Sequence, residues 1–301
     1  MINSPLSFCV WRSLARWGSS HFWSGDPRTS VVETGKGTDM AEYMAEERRR
    51  IGANLRTESL RLTAFLPPNE RVREPTWWSD LTGAQPENRV SRPGTGELQD
   101  VGPFENRVLV LSHQPGRVDW VLTLPAPTPD DDPTEARSIG FFPEILNVFL
   151  PLMSRWLEKS PPVVRIAFGA VLLEPVPDKP SGYRRLSEFL QTVRIDPEGS
   201  EDFSYQINRP RTSALRIDNL VINRLSKWSV SLYQRLGLGF GLPSLQAIQS
   251  FSSAPLYACR IELDISTPAV STGELTHGRL VELYRELVDL AVEITVSGDV
   301  P

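Results

Sequence analysis

Cysteine, histidine and lysine are all scarce in this chain of 301 residues. Two cysteines, Cys9 and Cys259, cannot build a disulfide framework or a cysteine-based zinc cluster. Three histidines, His21, His113 and His277, leave few groups for proton transfer near neutral pH. No apolar run approaches the roughly 20 residues of a bilayer-spanning helix, so no membrane span is expected. The usual catalytic signatures are missing as well: no Gly-x-x-x-x-Gly-Lys phosphate loop, no His-Glu-x-x-His zinc helix, no Gly-x-Ser-x-Gly elbow and no Cys-x-x-Cys pair. The sequence therefore implies no metal and no cofactor, and it leans away from an enzyme. A net charge of −5 argues against a protein that coats nucleic acid over its whole surface.

Arginine and proline are abundant instead, with 26 prolines and 28 of the 32 basic residues being arginine. Either the coding of a GC-rich bacterial genome or a demand for bidentate anion contacts accounts for the arginine. The first needs no site. Residues 1–38 differ from the rest, with Arg12, Arg16 and three tryptophans and no acid before Asp26. They read either as a leader or as an over-long gene start, because Asp39-Met-Ala-Glu42 resembles a capping box that opens a helix from Met40 to about Arg50.

Ser59–Phe65 alternates as a strand. Residues 67–106 are rich in proline, glycine and charge and read as a long loop, pinned where Trp77-Trp78 would be costly to leave in water. Val108–Leu124 reads as two strands joined by Gln114-Pro115-Gly116-Arg117. Proline fixes φ at the first central position of that turn and glycine supplies φ > 0 at the second. Glu144–Glu158 has a helical period, with Pro151 expected to kink or break it. Val163–Leu173, Asp202–Arg209, Leu220–Gln234 and Tyr257–Ser266 read as strands, and Ser181–Val193 as a short helix. Ser271-Thr-Gly-Glu274 caps a final helix that ends near Ile294. Hairpins are evident and no βαβ rhythm is present. The expected fold is α+β: a largely antiparallel sheet with packed helices, including a long C-terminal helix. Residues 39–301 are expected to form one domain, with any two sub-lobes meeting near 125–140.

Few residues suggest chemistry. Asp119 lies across the Pro-Gly hairpin from His113 and could orient it, although a turn histidine is usually solvated. Gly237-Leu-Gly239-Phe-Gly241 precedes a helical-looking Pro243–Phe251 segment. It reads as a flexible connector or as an anion cradle. The charge map is more specific. From Phe203 to Arg260 seven basic residues face one acid, whereas from Glu262 onward eight acids face two arginines. Arginine interleaved with aromatics suits phosphate contact and base stacking. The candidate anion- or nucleic-acid-binding residues are Asn208, Arg209, Arg211, Arg216, Asn223, Arg224, Lys227 and Trp228. The competing reading pairs this basic stretch with the acidic helix inside the molecule. Ile-Asn-Arg occurs at 207–209 and again at 222–224, and Leu225 breaks parity with Ile222. A hairpin with a bulge near Asn223–Leu225 is therefore expected.

Phe149–Trp156, Arg165-Ile-Ala-Phe168, the two Ile-Asn-Arg triplets and Tyr257–Ile294 resemble a sporadically distributed bacterial family of uncharacterised proteins, over the C-terminal half. Gly169-Ala-Val171 departs from that family's pattern, and the resemblance implies no activity. The leading expectation is a soluble, cytoplasmic bacterial protein that acts by binding a protein partner, as a partner or adaptor subunit. The alternatives are a nucleic-acid-binding or processing accessory using 203–260, and an enzyme of unrecognised class using carboxylates such as Asp119, Asp202 and Asp264.

Overall fold

The computed structural model describes residues 54–68, 70, 76–127, 135–215, 217, 220–233, 236–240, 247–251, 255–268, 275 and 277–299. The leader, the Asp39 and Ser271 capping boxes, His21 and Arg216 lie outside the described residues, and the side chain of His277 does too.

The strands are β1 (Arg56–Phe65), β2 (Asn88–Arg92), β3 (Glu97–Phe104), β4 (Arg107–Gln114), β5 (Arg117–Thr123), β6 (Arg165–Val176), β7 (Ser204–Asn208), β8 (Arg211–Thr212), β9 (Val221–Tyr233), β10 (Leu236–Phe240), β11 (Ala247–Phe251) and β12 (Leu256–Ser266). The described helices are α1 (Trp77–Thr82), α2 (Phe142–Leu157), α3 (Lys179–Phe189) and α4 (His277–Ser297). Ten strands form one antiparallel sheet in the order β2-β3-β4-β5-β1-β6-β12-β9-β7, with β8 also on β9. The fold is mixed α+β and the sheet dominates it. No described helix is long and apolar enough to cross a membrane.

Alternation decides the two faces of the sheet. Leu60, Leu62 and Ala64 of β1 are buried on the face that α2 covers, with Trp120 and Leu122 of β5 and Phe168 of β6 beside them. Ile261, Leu263 and Ile265 of β12 continue this layer beneath α3 and α4. Their outward neighbours Arg61, Arg117, Asp119, Glu262 and Asp264 stay partly exposed. Such a one-sided pattern is what an antiparallel sheet with helices on one face requires. The hairpin turn between β4 and β5 is as expected, with Gly116 at φ +78°.

Several local expectations change. Residues 67–106 are not one loop: they hold α1 and the β2–β3 hairpin, which alternation does not reveal because β2 is exposed throughout and the inward positions of β3 include Asp100 and Gly102. Trp78 is buried, and its ring joins Trp120, Trp156 and Trp77 in a chain of contacts with centroids 5.6–6.3 Å apart. Pro151 neither ends nor breaks α2. The carbonyl it leaves without a donor belongs to Asn147, and both residues lie on the exposed side, where that carbonyl is open to solvent. Ala247–Phe251 is strand β11, paired with β10 in a separate two-stranded sheet. Gly237 and Gly239 therefore lie within a hairpin strand, not at a helix N-terminus. Strand β9 has no bulge, since its register against β12 runs unbroken from Asn223 to Tyr233. Parity is kept because Leu225 faces outward while Arg224 and Ser226 occupy inward positions, buried among apolar neighbours.

Candidate functional site: the uncovered face of the sheet

Period two splits the 203–260 segment between both sides of the sheet. Arg224 and Trp228 face inward, whereas Asn223, Lys227 and, on β7, Asn208 face outward. Trp228 is fully buried, packs on Phe189 with centroids 5.2 Å apart, and donates its indole N–H to Ser226 Oγ at 2.9 Å. It offers no exposed ring for base stacking.

Three candidate arginines pack against carboxylates at the C-terminal end of the chain. Arg211 makes a two-pronged contact with Glu293 of α4 at 2.6 and 2.7 Å. Arg224, 3% exposed, reaches the same carboxylate at 3.2 Å. Arg209 grips Asp299 with its Nη2 at 2.8 Å, and Tyr205 donates its hydroxyl hydrogen to that carboxylate at 3.1 Å. Farther along α4, Glu286 accepts from Ser213 Oγ and from the Ala214 amide. Each charge shifts its partner. The Arg209 guanidinium holds the Asp299 carboxyl below its ordinary range, and Arg211 does the same to Glu293. Burial, aided by the nearby Arg211, pulls the Arg224 value down. Asn208 and Asn223 belong to the same joint: the Asn208 amide donates to Asn223 Oδ1 at 3.0 Å, and its oxygen accepts from the Arg224 backbone N–H at 2.9 Å. Here the triplets serve to tie β7, β9 and α4 together.

His113 and Asp119 do not meet. His113 is an inward residue, buried edge-on to Trp77, and burial lowers its pKa. Asp119 faces outward, where Thr63 Oγ1 donates to it at 2.5 Å and Arg117 contacts it at 2.6 and 2.9 Å. Residues one position out of phase on paired strands point to opposite faces. Asp202 stands on an exposed turn at φ +52°, so Asp119, Asp202 and Asp264 do not converge.

What the uncovered face does bring together is a groove of about 370 Å³ that crosses β5, β1, β6, β12, β9 and β7. Two rows of outward side chains form its banks. On one, Val121, Arg61, Gly169, Asp264 and Leu225 are successive cross-strand partners. On the other, Ser59, Val171, Glu262, Lys227 and Gln206 are. Ala170 and Leu263 line the floor between the rows. Gly169 shapes the first bank, because a Cβ there would lie 3.2 Å from Arg61 Nε. Without one, Arg61 lies across β6 and its Nη2 comes within 3.6 Å of Asp264. Lys227 Nζ stands 3.4 Å from Glu262, which also takes Arg260 Nε at 3.2 Å. Both bank pairs are about two-fifths exposed, so each is a loose, solvated contact and not a locked fork.

In the sequence, Lys227 stands out only as part of the basic stretch and Asp264 only as a carboxylate, while Arg61, Gly169 and Glu262 carry no signal of a site. The outward positions of β1 and β12 were legible by alternation, but the β1–β6–β12 neighbourhood joins segments about one hundred residues apart and leaves no local signal. In comparisons with known proteins, no protein-family model matches the chain and no curated protein matches it.

Proposed function

We propose that this chain works by binding, as a soluble cytoplasmic partner or adaptor subunit, and that the uncovered sheet face around the groove is its binding surface. One observation carries the reading: a groove lined by two solvated ion pairs and by apolar side chains, on a face that no described helix covers. Grooves with apolar walls and a few convergent polar groups are the usual places for recognition. A nucleic-acid role draws less support, since Arg209, Arg211 and Arg224 already hold carboxylates and Lys227 stands beside Glu262. Catalysis by the two groove carboxylates draws less still. An acid–base pair needs two groups whose surroundings push them apart, whereas Glu262 and Asp264 each sit half-exposed beside a cation.

The test is a photo-reactive amino acid placed at Leu225, in the groove, or at Val90, exposed on the distant edge strand β2. In cells, the Leu225 probe is expected to give a discrete cross-linked protein that the Val90 probe does not. Equal products from both positions, or a groove probe that captures only oligonucleotide, would overturn the reading.

A further inference from the structure

Resting on that reading, the charge order of the groove defines what fills it. Strand alternation places Glu262 and Asp264 outward on β12 with Leu263 inward between them, about 7 Å apart along the strand. The groove crosses β12 at Leu263, so the two carboxylates stand on opposite banks. Arg61 lies on the Asp264 bank towards β1, and Lys227 on the Glu262 bank towards β9. From β1 to β9 the order is therefore cation, two carboxylates, cation.

We propose that the groove takes an extended segment of a partner protein. A basic side chain of that segment sits between Glu262 and Asp264, and an acidic side chain one or two residues away meets Arg61. Lone pairs decide the basic group: each carboxylate has about four acceptor sites, the Lys227 and Arg260 contacts both fall on Glu262 Oε1 at 3.4 and 3.2 Å, and Arg61 stands 3.6 Å from Asp264, so both carboxylates keep room for an incoming donor. The bidentate Arg211–Glu293 contact, at 2.6 and 2.7 Å, has no such slack. Length decides the polymer. Six adjacent strands span about 24 Å at about 4.8 Å per spacing, which an extended chain of about seven residues covers. Val121, Val171 and Leu225 supply the apolar contact that the stems of long basic side chains favour. Two other occupants fit badly. A phosphate backbone would meet two carboxylates at the centre. A second copy of this chain, related by a two-fold axis running along the groove, would set Asp264 against the partner's Glu262.

A display library of random dodecapeptides, selected on the full chain, tests this. The expected winners carry Lys or Arg with Asp or Glu one or two positions away. A synthetic winner is expected to bind the Glu262→Gln/Asp264→Asn double variant at least tenfold more weakly. Against Arg61→Gln the preference for the basic residue should survive and the preference for the acidic one should vanish. Circular dichroism checks that the variants fold, and the single Glu262→Gln, on the solvated face, provides a milder version with a several-fold loss. Winners that need no basic residue, or whose affinity is the same on wild type and the folded double variant, overturn the proposal. If such winners still depend on Val121 or Leu225, the groove stands as a binding surface and only its charge assignment falls. If no winner depends on any groove residue, both fall.

Discussion

Gly298 controls how the C-terminal end of the chain closes on the fold. It follows α4 at φ +71°, its N–H returns to the Ile294 carbonyl, and the next residue, Asp299, donates its N–H to the Phe189 carbonyl at 3.0 Å. A Cβ at 298 would overlap that Phe189 carbonyl oxygen. Gly298→Ala is thus expected to lower stability by more than about 2 kcal/mol, from strained φ and the displaced backbone together, read as a shift in the urea midpoint. An unshifted midpoint would mean the Asp299 contacts add little. Gly116 and Gly298 differ in how far they can be read from sequence. Around Gly116, proline on one side and alternating strands on both sides spell out the turn. At 298 the demand comes from a carbonyl more than one hundred residues away, and no local pattern encodes it.

At the scale of elements, α4 is fastened to β8 and β9 by charge as well as by its apolar stripe of Leu280, Leu283, Tyr284, Leu287, Ala291 and Ile294. The stripe was legible from its 3.6-residue period. The numbers of arginines and acids were legible too, but their pairing was not, because it depends on which helix face crosses which strand. Glu293 and Asp299 have folded-state pKa values held below those of the unfolded chain. Groups of that kind contribute stability above the unfolded carboxyl range, near pH 4, and lose it as pH falls through the lower folded values. The denaturation midpoint is therefore expected to decline from about pH 5 downward. Glu293→Gln should flatten that decline and also cost about 1–3 kcal/mol at neutral pH, since buried Arg224 would lose the carboxylate it contacts. A variant with the wild-type acid profile would show that the fastening is not electrostatic.

For the whole molecule, the decisive contact is between β1 and β6. β1 lies between β5 and β6, and its pairing with β6 makes one sheet of the β2–β5 meander and the C-terminal strands. The same buried cluster runs from Trp78 and Trp120 at one end to Trp228 and Ile294 at the other. Unfolding of the described body is expected to be a single transition, with tryptophan fluorescence and far-ultraviolet circular dichroism giving coincident midpoints. Separated midpoints would mean that the halves melt on their own. The individual strands could be read from alternation, whereas the sheet order could not, because β1 finds its second partner a hundred residues downstream. The indoles of Trp77, Trp78, Trp120 and Trp156 meet in one continuous chain within that sheet's inner layer. Chromophores this close share their excited states, so light absorbed by one is passed among the four and emitted by the lowest in energy. Among the described residues, most of the near-ultraviolet optical activity would then come from this one spot, while Trp228, tilted against Phe189, glows as a separate lamp in the C-terminal half.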